Sequence, residues 1–338
     1  MTRRAWLALV AAAAGSRGLR LSAREVDTLV SVGGVPAHVA GTFEDPLAFQ
    51  RGSDGTCYVF DKRAHTVYSL PPDLSSATRI VRIGFEQGNI LEPSAFDVGP
   101  NDWFVVADGP NGRERVQLFD RTGVRLSGFD LPGRAAPRVS IGGMVLNGVG
   151  SLAFTGRSVL INQPETGGLV TEYGMSGTPL RTFGYLRKTG FEHDRALHLA
   201  LNVGIPSLHP QGGLWFVFLA GTPMIRRYDA KGTLLFERLL QGRELDPVVA
   251  TQPTSWPRRT FAGEEIPLVP PVVRAIATHP SGQLWVSFVT PFTYVIDNDG
   301  DPVRTVQFRA TGVIAPTSLH FATGNRLFIT PGLYEFRP

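Results

Sequence analysis

Glu44 and Asp45 stand immediately before Pro46-Leu47-Ala48-Phe49, and Glu92 stands immediately before Pro93-Ser94-Ala95-Phe96. Asn147, Asn202, Arg274 and Thr317 occupy comparable points, each leading into a later strand-like stretch. Oxygen-bearing side chains delivered to one place by successive repeats are what a hard divalent cation needs. A guanidinium in the same company instead favours a carboxylated ligand, through its planar fork of donors. These seven residues form the first candidate ligand-binding constellation, and Arg274 weighs against a metal there because a fixed cation repels another.

The second candidate group lies in two longer connections. Residues 185–198 hold His193 and Asp194; residues 241–271 hold Trp256, Arg258 and Glu264 among six prolines. A proline-stiffened, mixed-charge connection with a Trp suits a lid or a partner surface, and a solvated excursion accounts for it equally well. His193 and the nearby His198 have the chemistry to ligate or to shuttle a proton, yet a surface cluster of this kind is more often simply solvated. His209 and His279 repeat one position, as His-Pro-Gln-Gly and His-Pro-Ser-Gly, so they read as turn caps. Cys57 is the single cysteine and sits in Cys57-Tyr58-Val59-Phe60 as a small apolar filler. Ser-nucleophile elbows, Gly-rich phosphate loops and paired CxxC motifs are absent, so no catalytic set and no cofactor is predicted.

These candidates are positioned by a repeat. Strands centred on Tyr58, Val105, Leu160, Trp215, Trp285 and Phe328 recur at intervals of 47, 55, 55, 70 and 43 residues. Turns such as Ser53-Asp54-Gly55, Pro210-Gln211-Gly212 and Pro280-Ser281-Gly282 precede them, which is hairpin chemistry. Alternating strands follow each one, as in Arg115-Val116-Gln117-Leu118-Phe119 and Ile225-Arg226-Arg227-Tyr228, and then a further strand such as Thr78 to Ile83. Counting the strand before each first turn gives four antiparallel strands per unit, the composition of a propeller blade.

The predicted fold is all-β: one six-bladed β-propeller over residues 26–338, with blades near 46–84, 93–131, 147–184, 199–240, 272–310 and 316–336. The sixth unit runs out of chain after three strands. Residues 26–33, Val26-Asp27-Thr28-Leu29-Val30-Ser31-Val32-Gly33, are expected to supply its fourth, beside Leu333 to Phe336, in a 3+1 closure that removes the open edge of the ring. Asp61 and Asp108 end equivalent strands and read as structural carboxylates that satisfy turn amides.

Pro93 through Asp108, with Val116-Gln117-Leu118-Phe119-Asp120, resembles the blades of NHL-repeat propellers, and Pro46 through Asp61 is the next best match. More distantly the chain is similar to the lactonase propellers of the regucalcin and gluconolactonase kind. That resemblance implies a divalent cation held at the channel mouth, here by Glu44, Asn147 and Asn202. The sequence departs from the pattern where the family has an Asp and this chain offers Arg274. Such folds carry many functions, so fold alone does not assign one.

Composition narrows the choice. With 43% apolar and 18% charged residues, 38 Gly and 26 Pro in 338 residues, the chain is turn-rich and able to fold, not disordered. The net charge is +4, and setting aside Arg3, Arg4 and Arg17 leaves +1, too little for a nucleic-acid partner. Residues 1–18 carry a basic start, an apolar run and small residues, the pattern of a signal peptide, and the run is too short to span a membrane. The function expected from sequence is a secreted or periplasmic, non-catalytic binding propeller that recognises a protein or a small polar or anionic ligand through its channel mouth. A metal-dependent hydrolase or lyase is the alternative.

Overall fold

The computed structural model describes residues 25–131, 139–141, 144–146, 150–261 and 263–338. Residues 1–18, read above as a signal peptide, and Asn147 lie outside them. Six small antiparallel sheets follow one another around a ring. Their inner strands are Pro46–Arg51, Ala95–Val98, Leu152–Phe154, Gly204–Leu208, Val273–Thr278 and Ser318–Ala322. Each packs beside the next, and the sixth returns to the first, so the chain forms a six-bladed propeller.

Burial explains why the ring holds. The second strands Cys57–Asp61, Phe104–Asp108, Ser158–Asn162, Leu214–Phe218 and Leu284–Phe288 are buried at every residue, because blades cover both of their faces. The core is correspondingly divided into clusters lying between neighbouring blades. Phe49 meets Phe328 across the junction of blades 6 and 1, Phe60 stacks on Phe96 across blades 1 and 2, and Trp285 packs with Phe321 across blades 5 and 6.

Closure departs from the expected register. Val26–Val30 pairs in parallel with Thr305–Arg309, as a fifth strand on blade 5. The outer strand of that blade, Pro302–Arg309, has eight residues and leaves a long edge of unpaired amides, which this segment covers. Leu29 adds apolar contact with the cluster between blades 5 and 6, and Asp27 pairs with Arg304. The chain then crosses to blade 6, where Val32 N–H donates to Glu335 O at 2.9 Å and Gly33–Gly34 pairs antiparallel with Tyr334 and Glu335. A Cβ on Gly34 would lie 2.6 Å from the Leu333 carbonyl oxygen, so this approach needs glycine. The N-terminal segment therefore closes two blades, one with five residues and one with two.

Candidate ligand-binding channel

Each inner strand begins at one end of the ring, here the mouth, and turns back at the other end into its second strand. Along the ring axis runs a cavity of about 880 Å³. Its walls are largely apolar, with Leu47, Phe96, Leu152, Ile205, Ile276 and Leu319 among them.

Near the far end the inner strands carry a polar belt. Gln50, Asp97, Ser207 and His320 each stand opposite a residue near the start of a second strand, Tyr58, Val105, Trp215 and Phe328 in turn. An inner strand has no neighbour on its channel side, so its backbone groups there need partners. The belt supplies several. Gln50 Oε1 accepts from Val98 N–H at 2.8 Å, Asp97 Oδ2 accepts from Phe154 N–H at 2.8 Å, and His320 Nε2–H donates to Arg51 O at 3.2 Å. Ser207 and Thr278 join hydroxyls at 2.7 Å across blades 4 and 5. Each bond reaches the next blade, so the belt ties the ring together as well as lining it.

Burial sets the belt's charge. Desolvation pushes the Asp97 carboxyl up to about 6, against the pull of the Phe154, Gln50 and Val98 donors. Burial drives His320 down to about 4, so its ring is neutral at pH 7, as donation to a carbonyl requires.

Of the seven residues expected at the mouth, Arg274 and Thr317 line the cavity. Glu44 is exposed and Asp45 half-buried, and both backbone N–H groups bond to Asp61, at 2.6 and 3.0 Å. Glu92 is exposed with φ 51°. None of these three carboxylates lines the channel. Asn202 is fully buried: its Oδ1 accepts from Arg187 N–H at 2.8 Å, and its Nδ2 donates to His198 O at 2.9 Å. That amide braces the 185–198 connection from a fully buried position outside the cavity lining, where no channel ligand meets it. Among the described residues no group of three His, Cys, Asp or Glu side chains is placed to hold a metal ion.

The two long connections meet over the mouth. Residues 241–271 are not an irregular excursion, since they contain the helix Asp246–Ala250 and the hairpin Arg258–Phe261 with Glu264–Pro267. Leu245, Ile266 and Val269 anchor them in the core, while Val248, Thr251, Gln252, Pro270 and Pro271 face the cavity as a roof. Asp194 caps the helix Arg195–Ala200 by accepting from Leu197 N–H, and its other oxygen pairs with Arg258. Trp256 packs edge-on to Phe191, with ring centroids 6.2 Å apart, and His193 is exposed beside Phe191. Glu264 contributes backbone to the hairpin. His198 Nδ1 lies 2.8 Å from Thr189 Oγ1.

The two turn histidines are caps. Each Nδ1 accepts an N–H two residues on, from Gln211 or Ser281, and each Nε2–H donates to an Asn of the next blade, Asn298 or Asn325. Asp108 likewise accepts from Leu91 N–H and holds Arg115 at 2.8 Å. Sequence reasoning missed the belt. Its signal was a polar residue inside an otherwise apolar inner strand, visible in Ala95-Phe96-Asp97-Val98 and Leu319-His320-Phe321. Also missed were Glu114 and Glu165, in the loops after the second strands of blades 2 and 3. Burial raises both carboxyls to about 7, and the charge of Glu165 adds to the rise at Glu114.

No protein-family model matches the chain, and a search of curated proteins gives no match. Among solved structures it is similar to virginiamycin B lyase from Staphylococcus aureus, with TM-score 0.51 and 9% identity over 85% of this chain and 77% of that one. A streptogramin B lyase gives TM-score 0.48 and 14% identity over 86% and 92%. A protein of unknown function from Bacteroides caccae gives 0.46 and 11% over 76% and 80%. At such identities the likeness concerns the fold alone.

Proposed function

We propose that this propeller is a small-molecule binding protein whose ligand lies in the central channel beneath the 241–271 roof. The observation that carries this reading is the cavity itself. About 880 Å³ of apolar-walled space with a few convergent polar groups has the size and character of ordinary ligand sites. The roof supports it, because a segment anchored by Leu245 and Val269 and facing the cavity with Val248 and Pro271 limits access without filling the channel.

The blade pattern that resembles NHL repeats is compatible with binding but does not choose a ligand. A hydrolase built on Glu44, Asn147 and Asn202 has less support, since the Asn202 amide is already spent on Arg187 and His198. The basic and apolar start of the chain supports export, which N-terminal sequencing of protein recovered from a periplasmic fraction or medium would test.

The direct experiment uses the neutral fluorophore N-phenyl-1-naphthylamine with wild-type protein and Leu47→Trp. Leu47 is half-buried and lines the cavity, so the larger ring occupies channel space. Saturable binding by the wild type, lost in the variant while its melting temperature stays within a few degrees, is the expected result. Equal binding by both proteins would remove the probe from the channel and the reading with it.

A further inference from the structure

Two of the six inner strands carry a β-bulge, and both bulges fall at the same place. In blade 1 the pairing passes from Pro46 opposite Asp61 to Ala48 opposite Phe60, leaving Leu47 as the extra residue. In blade 5 it passes from Val273 opposite Phe288 to Ala275 opposite Ser287, leaving Arg274. Each extra residue lies three positions before the one that faces the second residue of the second strand, Gln50 opposite Tyr58 and Ala277 opposite Trp285. The inner strands of blades 2, 3, 4 and 6 pair without a shift. A bulge takes its extra residue out of the alternation that would send it between blades, and re-aims its side chain. Both Leu47 and Arg274 line the channel.

Blade 6 stands between these two bulges and presents hydroxyls. Thr317 Oγ1 and Ser318 Oγ lie 3.0 and 2.7 Å from Thr330 Oγ1, which donates to the carbonyl of the bulged Leu47 at 3.3 Å. With the Thr330 proton committed there, Thr317 and Ser318 are the donors in their own bonds, and a small rotation turns either proton into the channel. Both residues line the cavity. Arg274 is exposed and has no hydrogen bond or ion pair among the described residues, so its five donors are available. Among the described residues, the charged side chains lining the cavity are Lys62, Arg274 and Asp97, and Asp97 is at the far end with its oxygens on Gln50 and Phe154 N–H. The mouth is therefore cationic and the walls below it apolar.

We propose that Arg274, Thr317 and Ser318 form an oxyanion subsite at the mouth, which takes the acidic head of an amphipathic monoanion whose apolar body lies along the channel. This rests on the channel-binding reading and adds the ligand's charge and orientation to it. The guanidinium fork supplies the charge-assisted bonds and the hydroxyls complete the shell, while Leu47 on the bulge of blade 1 gives the body an apolar shoulder.

The test pairs two probes that share one skeleton, 8-anilinonaphthalene-1-sulfonate and the neutral N-phenyl-1-naphthylamine. Wild-type protein should bind the sulfonate at least tenfold more tightly, with an affinity that falls as salt is raised. Arg274→Gln should lose that advantage while its affinity for the neutral probe stays within twofold. Thr317→Val should weaken only the sulfonate, by about threefold, and Arg274→Lys should recover part of the loss, a charge without the fork. Unchanged melting curves confirm that the variants fold. If the neutral probe binds but the sulfonate is no tighter, or Arg274→Gln leaves it unchanged, the oxyanion subsite is wrong and the channel reading survives. If neither probe binds wild-type protein, both fall together.

Discussion

Asp97 and His320 sit in the same belt with opposite burdens. Asp97 has its carboxyl raised from 3.8 to about 6, so between those values the folded protein binds the extra proton and stability falls as pH rises. His320 is lowered from 6.5 to about 4, so across that window the unfolded chain binds the extra proton and stability falls as pH drops. The two slopes oppose each other over nearly the same range. Asp97→Asn, which keeps an oxygen for Phe154 N–H, should be more stable than wild type at pH 8 by on the order of 1–3 kcal/mol, an advantage gone by pH 4. His320→Gln, whose amide still donates to Arg51 O, should gain on wild type as pH falls from 6.5 to 4. Melting curves of the three proteins from pH 4 to 8 check both; an Asp97→Asn profile superimposable on wild type would refute the buried-carboxylate account. At this scale the sequence was legible where a residue type has one common use, as with the turn caps His209 and His279 or the strand-end Asp108. It misled where one type has two uses: Asn202 has the chemistry of a ligand and is spent on the backbone of Arg187 and His198.

The strands were easiest to read in the second position of each blade, because burial on both faces leaves continuous apolar runs such as Phe104-Val105-Val106-Ala107 between turn glycines. The roof was hardest. Arg258-Arg259-Thr260-Phe261 and Glu264-Glu265-Ile266 form a hairpin, yet six prolines nearby and charges on its exposed positions hide the alternation. Ile266 of its second strand is 5% exposed, and Val269, just past that strand and fully buried, joins the core between blades 4 and 5. The weak stretch of the roof is thus the link between helix and hairpin, where Thr254, Ser255 and Pro257 are exposed and outside regular structure. Proteinase K should cut folded protein first within residues 251–257, and the nicked chain should melt within a few degrees of intact protein, since Leu245 and Val269 remain packed on either side of the cut. Mass spectrometry of the early fragments locates the cut; first cleavage within 258–271 would show that the hairpin is not anchored to the core.

A ring of blades has no free edge only if its ends are joined, and the sequence showed that the last unit lacked a strand that the N-terminal segment could supply. What it did not show was the register. Residues 26–33 have outer-strand character throughout, and only the long edge of Pro302–Arg309 decides that Val26–Val30 lies on blade 5 while Gly33–Gly34 is left for blade 6. The two pairings bear different loads. Deleting residues 1–30 exposes the edge of blade 5 but leaves the bonds of Val32, Gly33–Gly34 and Val35 with blade 6 in place. Gly34→Val does the reverse, forcing a side chain against the Leu333 carbonyl where the ring's first and last blades meet. Because closure holds the ring together and edge cover mainly prevents sheet-to-sheet association, the deletion should promote aggregation with a modest fall in melting temperature. Gly34→Val should lower the melting temperature by several degrees, a loss of about 1–3 kcal/mol as for other strained backbone sites, while its light scattering matches that of wild type. Melting curves and light scattering on the two variants separate these effects. If the deletion melts as low as Gly34→Val and remains monodisperse, the parallel strand on blade 5, not the two-residue strand on blade 6, is what closes the propeller.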